Sequence, residues 1–301
     1  MTISRAQLAK ELEPGLNALF GLEYDRYEDE AAEIFSAESS DRAFEEEVML
    51  SGFGTAPVKS EGSAINFDDA QETYTARYTM ETIALAFSIT EEAVEDNLYD
   101  KLATRYTRAL ARSMAQTRQI KGATVLNNAF LATSPIGDGA ALCSAAHPSL
   151  SGNQRNLLQT PADLNETSLE DILIQIAGFT DERGLKIAVR GTKLMIPKEL
   201  QFIAERIINS NLRPGTADND INAMKSMGML PEGAVVNHFF TDADAYFVKT
   251  DCPNGFKVFN RTPLTTGTEG DFDTGNLRFK ARERYAFGVS DWRCVYGTPG
   301  A

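Results

Sequence analysis

The sequence predicts an α+β chain in which one helix and one β-hairpin are each longer than a compact domain of this size needs. Three observations carry that expectation. Residues 88–132 contain no proline and a single glycine, Gly122. Residues 73–89 are β-prone and free of both Gly and Pro. From about residue 165 onward, short amphipathic helices and apolar strands interleave as in a compact α/β unit.

In chain order, Ser4 to about Phe20 reads as a short amphipathic helix (Leu8, Leu12, Leu16, Leu19, Phe20), bent where Pro14 and Gly15 intervene. An acidic segment follows. From Glu23 to Glu47 there are eleven Asp or Glu against two Arg, ending in Glu45, Glu46 and Glu47. Two readings stay open for it: a solvated, partly mobile arm, or an arm that docks on a neighbour's basic stripe such as Arg105, Arg108 and Arg112.

Residues 48–89 read as a long hairpin, with limbs VMLSGFGTAPV and ETYTARYTMETIALAFSI around a polar middle that carries Lys59 near its tip. The seventeen residues Thr73 to Ile89 would make on the order of 55 Å of strand, against the usual five or six residues. One face (Tyr74, Ala76, Tyr78, Met80) is half-apolar and the other (Thr73, Thr75, Arg77, Thr79, Glu81) polar. A projecting arm with such a face is stable only when covered, and a second copy of the chain is the expected cover.

The long helix is expected over 88–132, opened by a Ser88–Glu91 capping box, with an apolar stripe every four residues (Val94, Leu98, Leu102, Tyr106, Leu110, Met114). Five acids crowd its first turns, and six basic residues with no acid lie between Lys101 and Lys121, in the sense the helix dipole favours. At about 1.5 Å per residue this is a rod of roughly 60 Å. Without a heptad pattern it reads as a strut across a sheet rather than a coiled coil.

Residues 134–161 are rich in Gly, Pro, Ser and Asn and read as loop. A helix is expected from Ser168, capped with Asp171, to Gly184. Then come a strand (TKLMI), a helix opened by Pro197, a loop (NLRPGTADND), a short helix (INAMKSMG) and two strands (AVVNHFF and AYFVKT). From Leu277 the tail alternates Leu277, Phe279, Ala281, Glu283 and Tyr285 with Arg278, Lys280, Arg282 and Arg284, a strand with a basic outer face.

Composition narrows the function. The chain has 301 residues, 43% of them hydrophobic and 24% charged, with a net charge of −14. Such an acidic balance argues against a nucleic-acid-binding surface. Three widely spaced cysteines suggest neither a disulfide framework nor a zinc site and point to a reducing, intracellular origin. No signal-peptide h-region or membrane-spanning run is present, so an unexported, soluble chain is expected.

Chemistry finds no anchor. The two histidines, His147 and His238, fall in different units and read as a turn residue and a packed strand residue. No GxSxG, GxGxxG, Walker or HExxH motif occurs. The run Asp271, Asp273, Gly275 fails as a calcium loop because its twelfth position is Arg282. Asp218 with Asp220 and Asp242 with Asp244 read as solvated loop acids. Cys143 near His147 is the one foothold for a different class of function, a soluble α/β hydrolase-like enzyme. No catalytic residue, cofactor or metal site is expected.

The order of parts, N-terminal arm, long hairpin, long helix, Gly-rich loop, α/β unit and returning strand, resembles the major capsid protein of tailed bacteriophages, the HK97-like fold that encapsulin shells share. Phrases such as AHPSLSGNQRNLL, KLMIPKELQFIAERIINS and RERYAFGVSDWRCVYG are similar to phrases in phage head subunits. The resemblance implies an N-terminal arm over 1–47 and an extended loop over 48–89. It further implies a spine helix with peripheral domain over 90–164, an axial domain over 165–261, and returning peripheral strands over 262–301. It implies a structural, non-enzymatic subunit that forms hexamers and pentamers of an icosahedral head around double-stranded DNA, with an encapsulin-like compartment as the alternative. The contact candidates between subunits are Lys59, Tyr74, Arg77 and Tyr78 on the hairpin, Arg105, Arg108 and Arg112 on the helix, and Glu45, Glu46 and Glu47. Fewer than fifty residues precede the hairpin, which implies a separate scaffolding protein; a portal protein and a decoration protein are further expected partners. The expected location is the virion, assembled in the host cytoplasm without any membrane. Some relatives crosslink a hairpin Lys to a neighbour's Asn, and no such crosslink is expected here.

Overall fold

A computed structural model describes residues 16–90, 92, 99–212, 220–271 and 275–301. Much of the expected N-terminal helix, the acid-rich start of the long helix, Asp218 and Asp273 lie outside the described residues.

Three sheets organise the described residues. The first, in order β1-β8-β9-β4, joins β1 (Ser36–Ser39), β8 (Phe256–Gly270), β9 (Leu277–Val289) and β4 (Glu81–Ile89). The second, β10-β7-β5-β6, joins β10 (Val295–Thr298), β7 (Tyr246–Thr250), β5 (Gly191–Pro197) and β6 (Ala234–Asn237). The third is the hairpin of β2 (Phe44–Leu50) with β3 (Glu72–Thr79). Among the described residues the α-helices are α1 (the described residues 16–24), α2 (Tyr99–Asn127), α3 (Glu166–Ala177), α4 (Gln201–Asn209) and α5 (Ala223–Met227).

The long helix forms and lies across the first sheet, burying Ala103, Leu110, Ala111 and Met114 against Phe279, Ala281 and Ile89, with Leu16 and Phe20 of α1 closing the cluster. Its buried seam differs from the expected one. A strict four-residue repeat drifts about 40° around an α-helix at each step. The seam instead steps by four and three, through Ala103, Thr107, Leu110 and Met114 and then Ala115, Gln119, Gly122 and Leu126. Tyr106 is left 47% exposed, leaning on Phe87. Small residues bring the helix close: a Cβ on Gly122 would meet that of Ala31 at 2.9 Å. Ser88 does not cap this helix; it belongs to β4, where it pairs with Arg278.

The expected seventeen-residue strand is two strands. β3 pairs with β2, β4 pairs with β9, and the chain changes sheets at Met80, whose amide donates to the Ala43 carbonyl while its side chain is buried. The break has a packing cause: Ala76, Tyr78 and Met80 bury against Phe259 and Ala286 of the chain's own body. The face expected to need a second copy is therefore covered within the subunit.

In the α/β unit, α3 starts earlier and ends sooner than its sequence pattern suggests. Asn165 is the N-cap and Ser168 the reciprocal member of the capping box, and the helix closes at Gly178 rather than Gly184. Leu169, Ile172 and Ile176 pack on Leu194, Ile196 and Val248, with Trp292 and Tyr296 returning from the C-terminus to complete the core. The expected boundary at 261 falls inside β8, a strand whose polar run TTGTEG and Pro263 concealed it. The boundary at 47 likewise falls inside β2.

Candidate assembly interface

The hairpin is the element that leaves the body, and its base is clamped from within. In the β2–β3 ladder, Glu45 faces Tyr78 and Glu47 faces Ala76, so these acids point inward with the apolar face. Glu47 accepts from Lys257 and from Ser290, and Ser290 also shares a hydrogen bond with Tyr78. Lys257 reaches Glu38 as well, at 3.1 Å. Burial alone would lower the Lys257 pKa, but its bonds to Glu47 and Glu38 outweigh desolvation and hold it above its ordinary value.

Residues 51–71 connect the strands without helix or strand. Their neck is tied twice: Ser51 exchanges hydrogen bonds with Gln71, and the Gly54 amide donates to Asp68 at 2.7 Å. That amide bond, aided by the Asp69 amide and then by Arg183 at 3.1 Å, outweighs desolvation and holds the Asp68 carboxyl below its usual range. Beyond the neck the loop exposes Val58 (98%) and Phe67 (97%). The outward face of the ladder adds Phe44, Val48 and Leu50, all exposed. Apolar side chains held open on an anchored arm are the mark of a surface completed by another molecule.

The contact candidates divide. Lys59 is exposed in the loop, and Arg77 is exposed on the outward face, over the Phe44 ring at 4.1 Å and 3.7 Å from Glu46. Arg105 and Arg112 are exposed on α2. Four others are internal. Tyr78 is buried, and Tyr74 is half-buried with its hydroxyl enclosed and its pKa pushed up by desolvation and the nearby Asp291. Glu45 accepts from Ser40 at 2.6 Å, and Glu47 belongs to the clamp. Arg108 meets the acidic segment inside one chain, 3.4 Å from Glu23.

The histidines also move from their expected roles. His238 lies just past β6, exposed, with Nδ1 2.6 Å from Glu30. His147 is fully buried, stacked on Trp292 at 4.4 Å, its ring nitrogens 2.6 Å from Asp138 and 2.9 Å from Asn156. Cys143 is buried with its thiol pKa pushed up by desolvation, and no hydrogen bond joins it to His147 among the described residues. Sequence reasoning missed this buried network and the adjoining Arg293, which holds Glu182 at 2.8 Å and Asp291 at 3.3 Å. The Gly- and Asn-rich run around it offered no periodicity by which to find it. No group of three or more metal-ligating side chains and no helix apolar enough to cross a membrane occurs among the described residues.

A sheet crossed by a long helix, a projecting hairpin and an α/β lobe together make the HK97-like capsid fold. The family model described as phage capsid protein matches residues 73–297, and the chain belongs to that family of structural capsid proteins. In fold it is similar to the virus-like particle from Pyrococcus furiosus (TM-score 0.54, 9% identity, covering 94% of this chain and 97% of that one). It is similar also to the capsid of a native GTA particle (0.58, 13%, 91% and 92%) and to the capsid of Myoviridae phage XM1 (0.54, 12%, 89% and 89%). No curated protein matches the sequence.

Proposed function

We propose that this subunit assembles as hexamers and pentamers into an icosahedral phage head around double-stranded DNA, each hairpin lying over an adjacent copy. The observation that carries the reading is the anchored loop with Val58 and Phe67 almost fully exposed, in a chain whose family forms capsids. Association is then the function. The family match to phage capsid protein favours a virion subunit over an encapsulin-like compartment. A separate scaffolding protein guides curvature, a portal protein occupies one vertex, a decoration protein is an optional outer layer, and assembly takes place in the host cytoplasm. DNA is enclosed without sequence-specific contact, in keeping with the net charge of −14.

Negative-stain microscopy of the chain expressed alone and with its candidate scaffold tests this. Closed shells or six- and five-membered rings are expected; a monomer or dimer under every condition would refute the reading.

A further inference from the structure

Three carboxylates and one guanidinium are buried where the loop after α2 meets the C-terminal end of the chain. Asp138, Glu182 and Asp291 have side chains 1%, 2% and 9% exposed, and Arg293, 3% exposed, pairs with the last two. Asp138 faces the fully buried His147, 2.6 Å from its Nδ1. The His147 ring stacks on Trp292, and the Arg293 guanidinium lies over that same indole at 4.4 Å. Tyr74 of β3 and Cys143 of the same loop are held in their neutral forms by burial.

Hydrogen-bond geometry places the protons on His147. Asn156 Oδ1 accepts from the Ser144 amide at 2.8 Å while Nδ2 points at the carbonyls of Leu142, Trp292 and Val295, so the side-chain amide cannot be turned round. The atom 2.9 Å from His147 Nε2 is therefore an acceptor, and Nε2 carries a hydrogen. On the other side, Asp138 Oδ1 accepts from the Ala140 amide at 2.9 Å, as an ionised carboxylate does, and Oδ2 is the acceptor that remains for Nδ1. Both ring nitrogens donate. The turn that carries Asp138 also presses on the hairpin, where a Cβ at Gly137 would come within 2.8 Å of the Thr75 carbonyl.

From this we infer that His147 stands in the folded subunit as an imidazolium, a proton lock that ties the Asp138 turn beneath β3 to Trp292 near the C-terminus. An ordinary imidazole gives up its charge between about pH 5 and 8. Loss of the proton here leaves the Asp138 carboxylate facing a bare nitrogen in a buried site, so the lock opens as the pH rises. A proton held more tightly in the folded chain than in the unfolded one stabilises fully at low pH. That gain drains away as the pH climbs above the unfolded value of about 6.5.

Nitrogen-15 NMR of the full chain, labelled at histidine alone, reads the protons directly. The exposed His238 is changed to Gln so that a single ring remains. At about pH 8 both nitrogens of His147 are expected to be protonated, and a bare Nδ1 or Nε2 overturns the inference. Asp138→Asn keeps the shape of the partner and removes its charge. In denaturant unfolding of the unassembled chain, the wild-type unfolding constant divided by that of Asp138→Asn is expected to rise about tenfold per pH unit from about pH 7 to about pH 9, the slope of one proton. Protease cleavage within Glu72–Thr79, scaled to the same variant, is expected to speed up over that range. A ratio that stays flat with pH overturns the inference as well. Should Asp138→Asn fail to fold, the ring spectrum decides alone.

Discussion

Asn156 shows how much a single side chain fixes. Its Nδ2 donates to the carbonyls of Leu142, Trp292 and Val295, while its Oδ1 accepts from the Ser144 amide and from His147 Nε2. Asn156→Ala leaves those buried groups unpaired and is expected to destabilise the subunit by about 3 kcal/mol or more in denaturant unfolding. A loss under about 1 kcal/mol would show that the network is dispensable. Glu283 carries the opposite lesson. Burial raises its pKa more than Arg118 and Tyr24 lower it, and one carboxylate oxygen has no partner. A raised carboxylate pKa means that the ionised form costs stability, fully above the folded pKa and not at all below the unfolded one. Glu283→Gln is therefore expected to melt above wild type at pH 8, with the gap closing as pH falls below about 4. An equal gap at both pH values would contradict this. Neither site was legible in the sequence. The partners of His147 and Asn156 lie as far away as Trp292, and an alternating strand marks Glu283 as inward-facing without saying whether it finds a cation.

At the scale of elements, the long helix, the hairpin's existence and the basic strand were legible because each rests on a local period. What failed was whatever depended on a partner in space. Seventeen β-prone residues do not reveal that Met80 turns from one sheet into another, nor that Tyr78 seeks Phe259 rather than a neighbour. Two substitutions probe the hairpin's seat. A Cβ at Gly137 would meet the Thr75 carbonyl at 2.8 Å, so Gly137→Val is expected to cost about 1–3 kcal/mol and to expose β3 to protease. Wild-type stability and digestion would show that the contact yields. Arg183 is bound to Asp68 and to the Asp69 carbonyl on an exposed site. Arg183→Ala is expected to speed proteolysis within 51–71 while global stability changes by under about 1 kcal/mol.

For the whole molecule, the order of parts identified the fold where no catalytic motif could, because a shell subunit is defined by its projecting and receiving surfaces. Eleven acids in one arm read in sequence either as solvated charge or as a dock for a neighbour's cations; within the subunit Glu23, Glu38 and Glu47 pair with Arg108 and Lys257 of their own chain. Assembled particles are expected to fall apart in denaturing gels to one 33.0 kDa band, and a covalent ladder would refute the uncrosslinked shell. The central claim, that the exposed loop is completed by another copy, is tested most directly by hydrogen exchange on assembled and unassembled chains. Exchange across residues 51–71 is expected to slow markedly on assembly while the α/β core stays unchanged. Equal exchange in both states would mean that the loop remains open in the particle, and would contradict the account.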